Sequence, residues 1–290
     1  MAKSLEHHVS LSLDTAEEDL ELVLRSFSSD DDYARCEALQ RSTWGQDFDE
    51  IATATMMKIS QKVGGVAAGA FGPDGRLYGL IFGLTGLRDG HTTHWSHIMA
   101  VESGLRGRGL GRYLKAFQRA LLLELGVRTM IWTYDPLVAR NAHLNLQRLG
   151  AEPVEYHPNF YGDGGQNELH RGIGTDRFIV EWRLDGAKVE QRLRGEEDPG
   201  TEAFRSLSPV NSQPSGVPRR DEFPLPEAPR VLIEIPLDVQ EVKERDGDEA
   251  MAWRLSTRRA FQHYFARGYR VRSFLRGQMA GSYALEAPRA

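Results

Sequence analysis

A glycine-rich segment between a predicted strand and a predicted helix constrains the fold of this 290-residue chain more than any other feature. It reads SGLRGRGLGR over residues 103–112, after a strand predicted at 94–101 and before a helix predicted from Gly111. Glycines allow backbone N–H groups to converge on an anion, and the N-terminus of a helix carries partial positive charge. Five basic and two acidic residues lie between positions 102 and 124, although the whole chain has a net charge of -5. The segment therefore predicts a turn that binds phosphate.

The spacing of the glycines distinguishes between kinds of phosphate-binding turn. A Walker loop ends in Gly-Lys-Ser/Thr, which is missing here, and the dinucleotide motif G-x-G-x-x-G does not fit glycines that alternate at 107, 109 and 111. Arg106, Gly109 and Gly111 fit R/Q-x-x-G-x-G, and in this segment the chain resembles the Gcn5-related N-acetyltransferase (GNAT) superfamily. In that family the turn binds the pyrophosphate of coenzyme A, and the preceding strand separates from its neighbour so that its backbone pairs with the pantetheine arm.

The resemblance implies an acyl-CoA co-substrate, acetyl-CoA or another thioester such as succinyl-CoA, and residues that bind it. Residues 135–151 look like the family's second cofactor-contacting helix, which makes Asn141 a polar contact to the cofactor. The cofactor-binding residues implied in this way are Met99, Ala100, Val101, Arg106, Gly107, Arg108, Gly109, Leu110, Gly111, Arg112 and Asn141.

Hydrophobic periodicity predicts a mixed α/β fold: a GNAT-like, central, mostly antiparallel and splayed sheet flanked by helices, plus a small C-terminal α/β unit. Along the strand at 94–101, alternation places His97 on one face, and His94, Ser96 and Ile98 on the other. In the helix that follows, the spacing of 114, 117, 121 and 125 predicts a buried face, with Lys115 turned to water. Further strands are predicted at 21–27, 62–71, 76–84, 129–133 and 177–184, and a helix at 141–149.

Proline marks the predicted domain break, because seven of the 13 prolines fall between Asp185 and Arg230. We expect an acyltransferase domain at 1–184, a Pro-rich linker or excursion at 185–229 with too little apolar burial to order itself, and an α/β appendage at 230–290. An appendage of this size is marginal alone, so we expect it to pack on the main domain or on a second copy in a homodimer.

Transfer of an acyl group to an amine requires a base, and the strand before the turn offers two candidates. Counting back from the turn, His97 falls where arylalkylamine-type members of the superfamily carry an imidazole, and Glu102 is the second candidate. The alternative is that His97 is a core histidine and water accepts the proton. His91, His94 and His97 also form H-x-x-H-x-x-H, but strand-like surroundings argue against a metal site.

The acid that protonates the leaving thiolate is not in its usual place. Members of the family place a tyrosine about four residues before the glycine that ends the second helix, and this chain has Leu146 there. Tyr134, Tyr156 and Tyr161 are substitutes, of which we select Tyr161, and water is the alternative donor. The run around Tyr134 and residues 156–162 resembles a narrower branch of predicted acetyltransferases that occur with N-acylamino-acid racemases, some of which are taken to succinylate amino acids.

Composition restricts the remaining function classes. The net charge of -5 does not favour nucleic acid or an anionic membrane as partner, and a single cysteine excludes an intrachain disulfide and a Cys-rich zinc module. The single cysteine favours a reducing cytoplasm, and neither a signal peptide nor a membrane span is predicted. We therefore expect an N-acyltransferase acting on a small-molecule amine, by direct transfer in a ternary complex. The alternatives are an acyl-CoA sensor of the same fold and an RNA-contacting Arg-Gly element at 106–109.

Overall fold

The chain divides into two compact units, Met1–Trp132 with Arg183–Asp185, and Thr133–Trp182 with Gly186–Ala290. We analysed a computed structural model. It describes residues 5–12, 19–46, 50–162, 172–196, 199–213, 217–219 and 223–289.

The first unit is built on antiparallel strands. Its strands are β1 (Glu6–Leu11), β2 (Leu20–Ser26), β3 (Val66–Phe71), β4 (Leu77–Arg88), β5 (His91–Val101) and most of β6 (Thr129–Tyr134), and its helices are α1 (Asp30–Trp44), α2 (Ala54–Lys62) and α3 (Leu110–Glu124). β1 to β5 pair antiparallel in chain order, and β5 pairs with β6 in parallel. The predicted meander is therefore confirmed. The tight turn between β3 and β4 closes with Gly75 N–H donating to the Gly72 carbonyl over 2.9 Å.

The two faces of β4 carry different helices. Leu80 and Phe82 are buried with residues of α1 and α2, such as Tyr33 and Met57. Gly79, which precedes Leu80 and so faces the other side of the sheet, lies under α3: a Cβ added there would come within 3.0 Å of Leu114. A glycine at this position thus lets the first turns of α3 approach the sheet closely, which fixes the glycine-rich segment at the end of β5.

The second unit contains the rest of the eight-stranded sheet and a separate three-stranded sheet. Its strands are β7 (Glu152–His157), β8 (Arg177–Arg183), β9 (Arg230–Pro236), β10 (Arg270–Arg276) and β11 (Ala280–Glu286), and its helices are α4 (Ala139–Ala142), α5 (Ala187–Leu193), α6 (Val239–Arg245) and α7 (Gly247–Ala266). The large sheet has the order β1-β2-β3-β4-β5-β6-β8-β7, and the small antiparallel sheet has the order β10-β11-β9. The predicted mixed α/β class, with a mostly antiparallel sheet and a C-terminal α/β part, is confirmed.

Two predictions about faces are wrong. In the pairing of β5 with β4, Ser96 lies opposite Gly83 and Ile98 opposite Phe82, so His97 is an extra residue in a β-bulge. Ile98 consequently packs with the α1 and α2 side, whereas His94 and Ser96 contact α3. On α3 the buried face includes Lys115, which was expected in water, while Leu125 is exposed.

The helix predicted at 141–149 is also irregular. Only Ala139–Ala142 is α-helical, and His143–Arg148 forms a π-helix in which Leu149 N–H donates to the Leu144 carbonyl over 2.9 Å. Leu146, at the position of the expected tyrosine, is buried in this turn. Wide helical turns of this kind occur often at functional sites.

The segment at 185–229 is more ordered where it is described than its composition predicts. α5 lies within it, Phe204 is buried against Leu232 of β9, and the Asn211 side chain exchanges two hydrogen bonds with the backbone of Glu234, at 2.9 and 2.7 Å. Residues 197–198, 214–216 and 220–222 lie outside the described residues. The domain boundaries themselves remain a prediction. No helix in the described part of the chain combines the length and apolar character needed to cross a bilayer.

Candidate functional site

The glycine-rich segment forms an open turn ahead of α3. A single 3-10 turn at Ser103–Leu105 follows β5, and then Gly107 and Gly109 adopt left-handed backbone conformations with φ of +83° and +90°. Side chains are strained at such φ values, which explains the glycines. A Cβ built at either position would meet no heavy atom within 4 Å, so the space beside these two residues is open to a ligand.

The start of α3 provides unbonded donors beside that space. Gly109 is the N-cap residue and gives the helix no side-chain cap. Among the described residues, the N–H groups of Leu110 and Gly111 donate to no backbone carbonyl, as expected for the first turn of a helix. Uncapped N–H groups, together with the helix dipole, favour an anion at this point.

Three arginines surround the turn and differ in how they are held. Arg106 is exposed, and its Nε donates to the Val101 carbonyl over 3.2 Å. Arg108 is half-buried, and its Nη1 donates to the Ser12 carbonyl over 2.9 Å. Arg112 lies in the first turn of α3 and is half-buried. Their three charges lie on residues flanking the same turn, where arginines favour the binding of a phosphate.

The end of β5 leaves one edge unpaired. The parallel register with β6 covers only Thr93, His94 and Trp95, opposite Thr129, Met130 and Ile131. Met99 and Val101 are half-buried, and Ala100 is buried in the core under α1 and α2. Because the antiparallel partner β4 occupies only one side, the other edge of β5 beyond Trp95 can pair with an extended ligand.

His97 lies at the β-bulge in the middle of β5 and is exposed. Its ring contacts Phe82 edge-on, with 6.2 Å between centroids. Partial desolvation of the imidazole lowers the pKa of His97 below its ordinary value, and the charge of Glu50 opposes that shift. The bulge turns the side chain away from the regular alternation, and the lowered pKa favours a neutral imidazole at neutral pH.

Glu102, the second candidate base, is already paired. Its carboxylate forms a salt bridge with Arg76, and its N–H donates to the Tyr78 carbonyl over 2.9 Å. Because the Glu102 carboxylate is held in this ion pair, it is less available to an acceptor amine than the exposed His97 ring. The geometry therefore favours His97 over Glu102 as base.

A buried polar network behind β5 was missed by the sequence analysis. Lys115 of α3 is 2% exposed, and its Nζ donates to Ser96 Oγ over 2.9 Å. From Ser96 the series of hydrogen bonds continues through Gln118 to His94, which is fully buried. Desolvation, assisted by Lys115, lowers the pKa of His94 to about 3. The available signal was four polar residues, two of them two positions apart on β5 and two three positions apart on α3: His94, Ser96, Lys115 and Gln118.

The remaining predicted residues belong to the second unit. Asn141 is half-buried in α4, where its N–H donates to the Val138 carbonyl over 2.9 Å. Tyr161 is exposed, its hydroxyl lies 3.0 Å from Thr133 Oγ1, and the Arg177 guanidinium lies 5.2 Å from its ring centroid. Tyr156 donates to Asp176, and desolvation together with that carboxylate raises its pKa, which makes it a poor acid. Of the candidate tyrosines, Tyr161 is the accessible one.

Nucleophilic and metal chemistry find no support among the described residues. The single cysteine, Cys36, is buried, and desolvation raises the pKa of its thiol to about 12. Within the part of the chain that the structure describes, no group of three or more His, Cys, Asp or Glu side chains could hold a metal ion. His94, the central member of the H-x-x-H-x-x-H run, uses both ring nitrogens in hydrogen bonds to Thr85 and Gln118.

No protein-family model matches the chain. No curated protein matches it. Its backbone is similar to that of several solved structures over 56% of its length. These include Ard1 from Thermoplasma volcanium (15% identity, 97% of that chain, TM-score 0.43), an aminoglycoside 6'-N-acetyltransferase complexed with coenzyme A (14%, 97%, 0.43) and an acetyltransferase of the GNAT family from Streptococcus pneumoniae (15%, 98%, 0.43). Similarity at this level supports no conclusion about the activity of this chain.

Proposed function

We propose that this chain is an acyl-CoA-dependent N-acyltransferase. One observation carries the proposal: Gly107 and Gly109 adopt left-handed conformations beside open space at an uncapped helix N-terminus, with three arginines on the same turn. These residues fit a diphosphate, because a Cβ at either glycine would occupy the space that the diphosphate needs. Acyl-CoA is a thioester, and its carbonyl carbon is open to attack by an amine, which releases coenzyme A as the thiol.

The residues of β5 position and activate the reactants in this proposal. The unpaired edge at Met99–Val101 binds the arm that joins the diphosphate to the thioester, and its N–H groups polarise the thioester carbonyl. His97, at the bulge, accepts the proton that the ammonium form of the acceptor loses before it attacks. Tyr161 returns a proton to the leaving thiolate. Direct transfer in a ternary complex needs no covalent intermediate on the protein.

The donor is acetyl-CoA or succinyl-CoA, and the acceptor is the amine of a small molecule such as an amino acid. Both choices depend on the resemblance to the narrower acetyltransferase branch described above. A cytoplasmic location follows from the same premise, since acyl-CoA is an intracellular metabolite and the buried Cys36 needs no oxidising compartment.

The second candidate function is an acyl-CoA sensor or assembly protein. Leu146 favours it, because this residue is buried at the place where the resemblance implies a tyrosine acid. A sensor would bind the thioester through the same turn and release no thiol. Both functions therefore require the binding of acyl-CoA, and only the enzyme would release its thiol.

Substitution of Gly109 tests the binding site. Gly109→Asp should abolish the binding of coenzyme A in a calorimetric titration, since it places a carboxylate where the diphosphate would lie. The matched control is Gly126→Asp at the other end of α3, where φ is +77° and a Cβ also meets nothing within 4 Å. Both variants incur the same backbone strain, and only the first should lose affinity.

Two results would contradict the proposal. Coenzyme A binding that survives in Gly109→Asp, or that is lost equally in Gly126→Asp, would exclude the turn as the diphosphate site. If binding behaves as expected, release of free thiol from acetyl-CoA or succinyl-CoA with a panel of amines separates the enzyme from the sensor.

A further inference from the structure

Arginine side chains surround one end of the three-stranded sheet in the second unit. Arg230 of β9, Glu286 of β11 and Arg270 of β10 lie opposite one another in the register, so they share one face of the sheet. Arg272 is the extra residue of a β-bulge in β10, and its Nε also donates to Glu286. Arg289 follows the end of β11 and lies beside them. These five residues form the arginine cluster.

Two open cavities meet at the arginine cluster. One has a volume of about 280 Å³ and is lined by Arg270, Arg272, Glu286, Ala287, Pro288 and Arg289. The other has a volume of about 250 Å³ and has Pro229 and Arg230 in place of the two β10 arginines. Both volumes are at the small end of ligand sites, and no aromatic or large apolar side chain lines either cavity. A ligand of these cavities is therefore small and is recognised by its charge.

The lining of the two cavities carries more positive charge than it neutralises. Four guanidinium groups and one carboxylate line them, which leaves three positive charges uncompensated. Glu286 accepts a hydrogen bond from Arg272 Nε over 2.9 Å and one from Arg230 Nε over 3.3 Å. Among the described residues, Arg270 and Arg289 form no hydrogen bond or salt bridge. The cluster therefore attracts an anion that carries several charges.

Two of the guanidinium groups are held in place before a ligand binds. The Arg230 guanidinium carbon lies 5.7 Å from the ring centroid of Phe204, which is itself buried against β9. Glu286 accepts only from the Nε groups, so the Nη groups of Arg230 and Arg272 have no hydrogen-bond partner in the described part of the chain. Guanidinium groups that are already ordered lose less side-chain entropy on binding. Their Nη groups are available to the oxygens of a phosphate.

We propose that the arginine cluster binds a small soluble molecule with a terminal diphosphate group, such as a nucleoside diphosphate. A terminal diphosphate carries about three negative charges at neutral pH, which matches the three positive charges left uncompensated. The internal diphosphate of coenzyme A carries one charge on each phosphate and matches them less well. This site goes beyond the proposed function, because it lies in the second unit and uses none of the residues of the turn before α3.

A nucleic acid and an anionic membrane match the cluster less well than a small molecule does. The net charge of the chain is -5, which opposes the approach of an extended polyanion. The only apolar residues that line the cavities are Ala287 and two prolines, so the cluster offers no large apolar side chain for insertion into lipid. The small volume of each cavity also restricts the ligand to a single compact anionic group.

Calorimetric titration of the full chain with inorganic diphosphate tests the proposal. The turn before α3 is a second diphosphate site in the proposed function, so the titrations use Gly109→Asp, which blocks that turn and leaves the cluster intact. Adding Arg270→Gln should weaken diphosphate binding about 10-fold or more, because it removes a charged donor from an exposed side chain. The matched control is Arg276→Gln, an exposed arginine at the end of the same strand that lines neither cavity, and it should change nothing. Inorganic phosphate should bind more weakly than diphosphate.

If Gly109→Asp does not fold, the same comparison is made in the otherwise wild-type chain saturated with coenzyme A. Diphosphate that fails to bind, or that binds equally well with and without Arg270→Gln, overturns the proposed site and leaves the proposed function to the coenzyme A titration. A chain that binds diphosphate through Arg270 but binds no coenzyme A supports the site and overturns the proposed function. Tighter binding of an RNA oligonucleotide, or of vesicles that contain a phosphoinositide, would assign the cluster to a macromolecule or a membrane and overturn the proposal.

Discussion

His97 brings together three properties that a general base requires: exposure, a position in a β-bulge and a lowered pKa. Because the base must be neutral to accept a proton, kcat/KM should rise with pH through a pKa below 6.5 and then level off until another group titrates. His97→Asn should lower the plateau by about 10²-fold or more and remove the rise. The measurement is the pH profile of kcat/KM with a saturating donor.

His91→Asn is the control for that experiment, because His91 is an exposed histidine at the start of the same strand. Its profile should match that of the wild-type protein. A profile that is unchanged in His97→Asn would show that water, or Glu102, accepts the proton.

Asp32 is a residue whose charge holds the first unit together. It is 3% exposed, its two oxygens accept from Arg25 at 2.8 and 2.7 Å, and they also accept from the N–H groups of Ser28 and Ser29. Desolvation raises the pKa of Asp32, but Arg25 and the two N–H groups outweigh it, so the net pKa is lowered. A carboxyl with a depressed folded pKa stabilises the fold above its unfolded pKa, near 4, and that stability is lost as the pH falls further.

Asp32→Asn should therefore lower the free energy of unfolding at pH 7 by about 2 kcal/mol, since it leaves Arg25 without its charged partner. The loss should shrink as urea unfolding is repeated from pH 5 to pH 3. Asp31→Asn is the matched control: Asp31 is exposed in the same turn of α1, where its carboxylate pairs with Arg35. Equal losses in the two variants, or a loss in Asp32→Asn that is independent of pH, would contradict this account.

At the level of elements, the spacing of apolar residues and the placement of glycines predicted most of the strands, turns and helices that form the candidate site. The meander, the turn after β5 and the helix that follows were all predictable, because strand alternation, a glycine cluster and a helical period succeed one another within residues 76–125. The bulge at His97 was not, since an inserted residue leaves no mark on the sequence until the partner strand is known. It reversed the predicted face of Ile98 while leaving His97 itself available.

The helix α3 shows where amphipathic patterns mislead. Its glycine-flanked start was predicted within a residue, but its buried face was rotated, because Lys115 was treated as a solvated charge. Lys115 is held by a network with β5, through Ser96 directly and through Gln118 to His94. The spacing of residues within one helix does not reveal partners that lie on a strand. The elements β1, β7, β11, α5 and α6 were not predicted from the sequence.

At the scale of the whole molecule, the second unit contains residues from both sides of the predicted domain break. Phe178 of β8 packs against Phe261 of α7 and Tyr283 of β11, with ring centroids 4.8 and 5.5 Å apart. Asp135 and Arg254 form a buried salt bridge of 2.6 Å, and Arg258 of α7 pairs with Asp176 at 2.6 Å. These contacts join residues 133–182 to the C-terminal part, which the proline-rich segment alone would separate.

A truncated chain of residues 1–184 tests which division governs stability. It keeps Asp135, Asp176 and Phe178 but removes Arg254, Arg258 and Phe261, so each of two buried carboxylates loses one guanidinium partner and an aromatic core is opened to water. Removing one partner of a buried ion pair costs up to about 3 to 5 kcal/mol, which is a large part of a typical domain's stability. We expect the truncated chain to bind a hydrophobic dye, to lose near-ultraviolet circular dichroism and to unfold at lower urea than the full chain. A truncated chain that unfolds cooperatively at the midpoint of the full chain, and binds no dye, would establish the break at 185–229 as the true domain boundary.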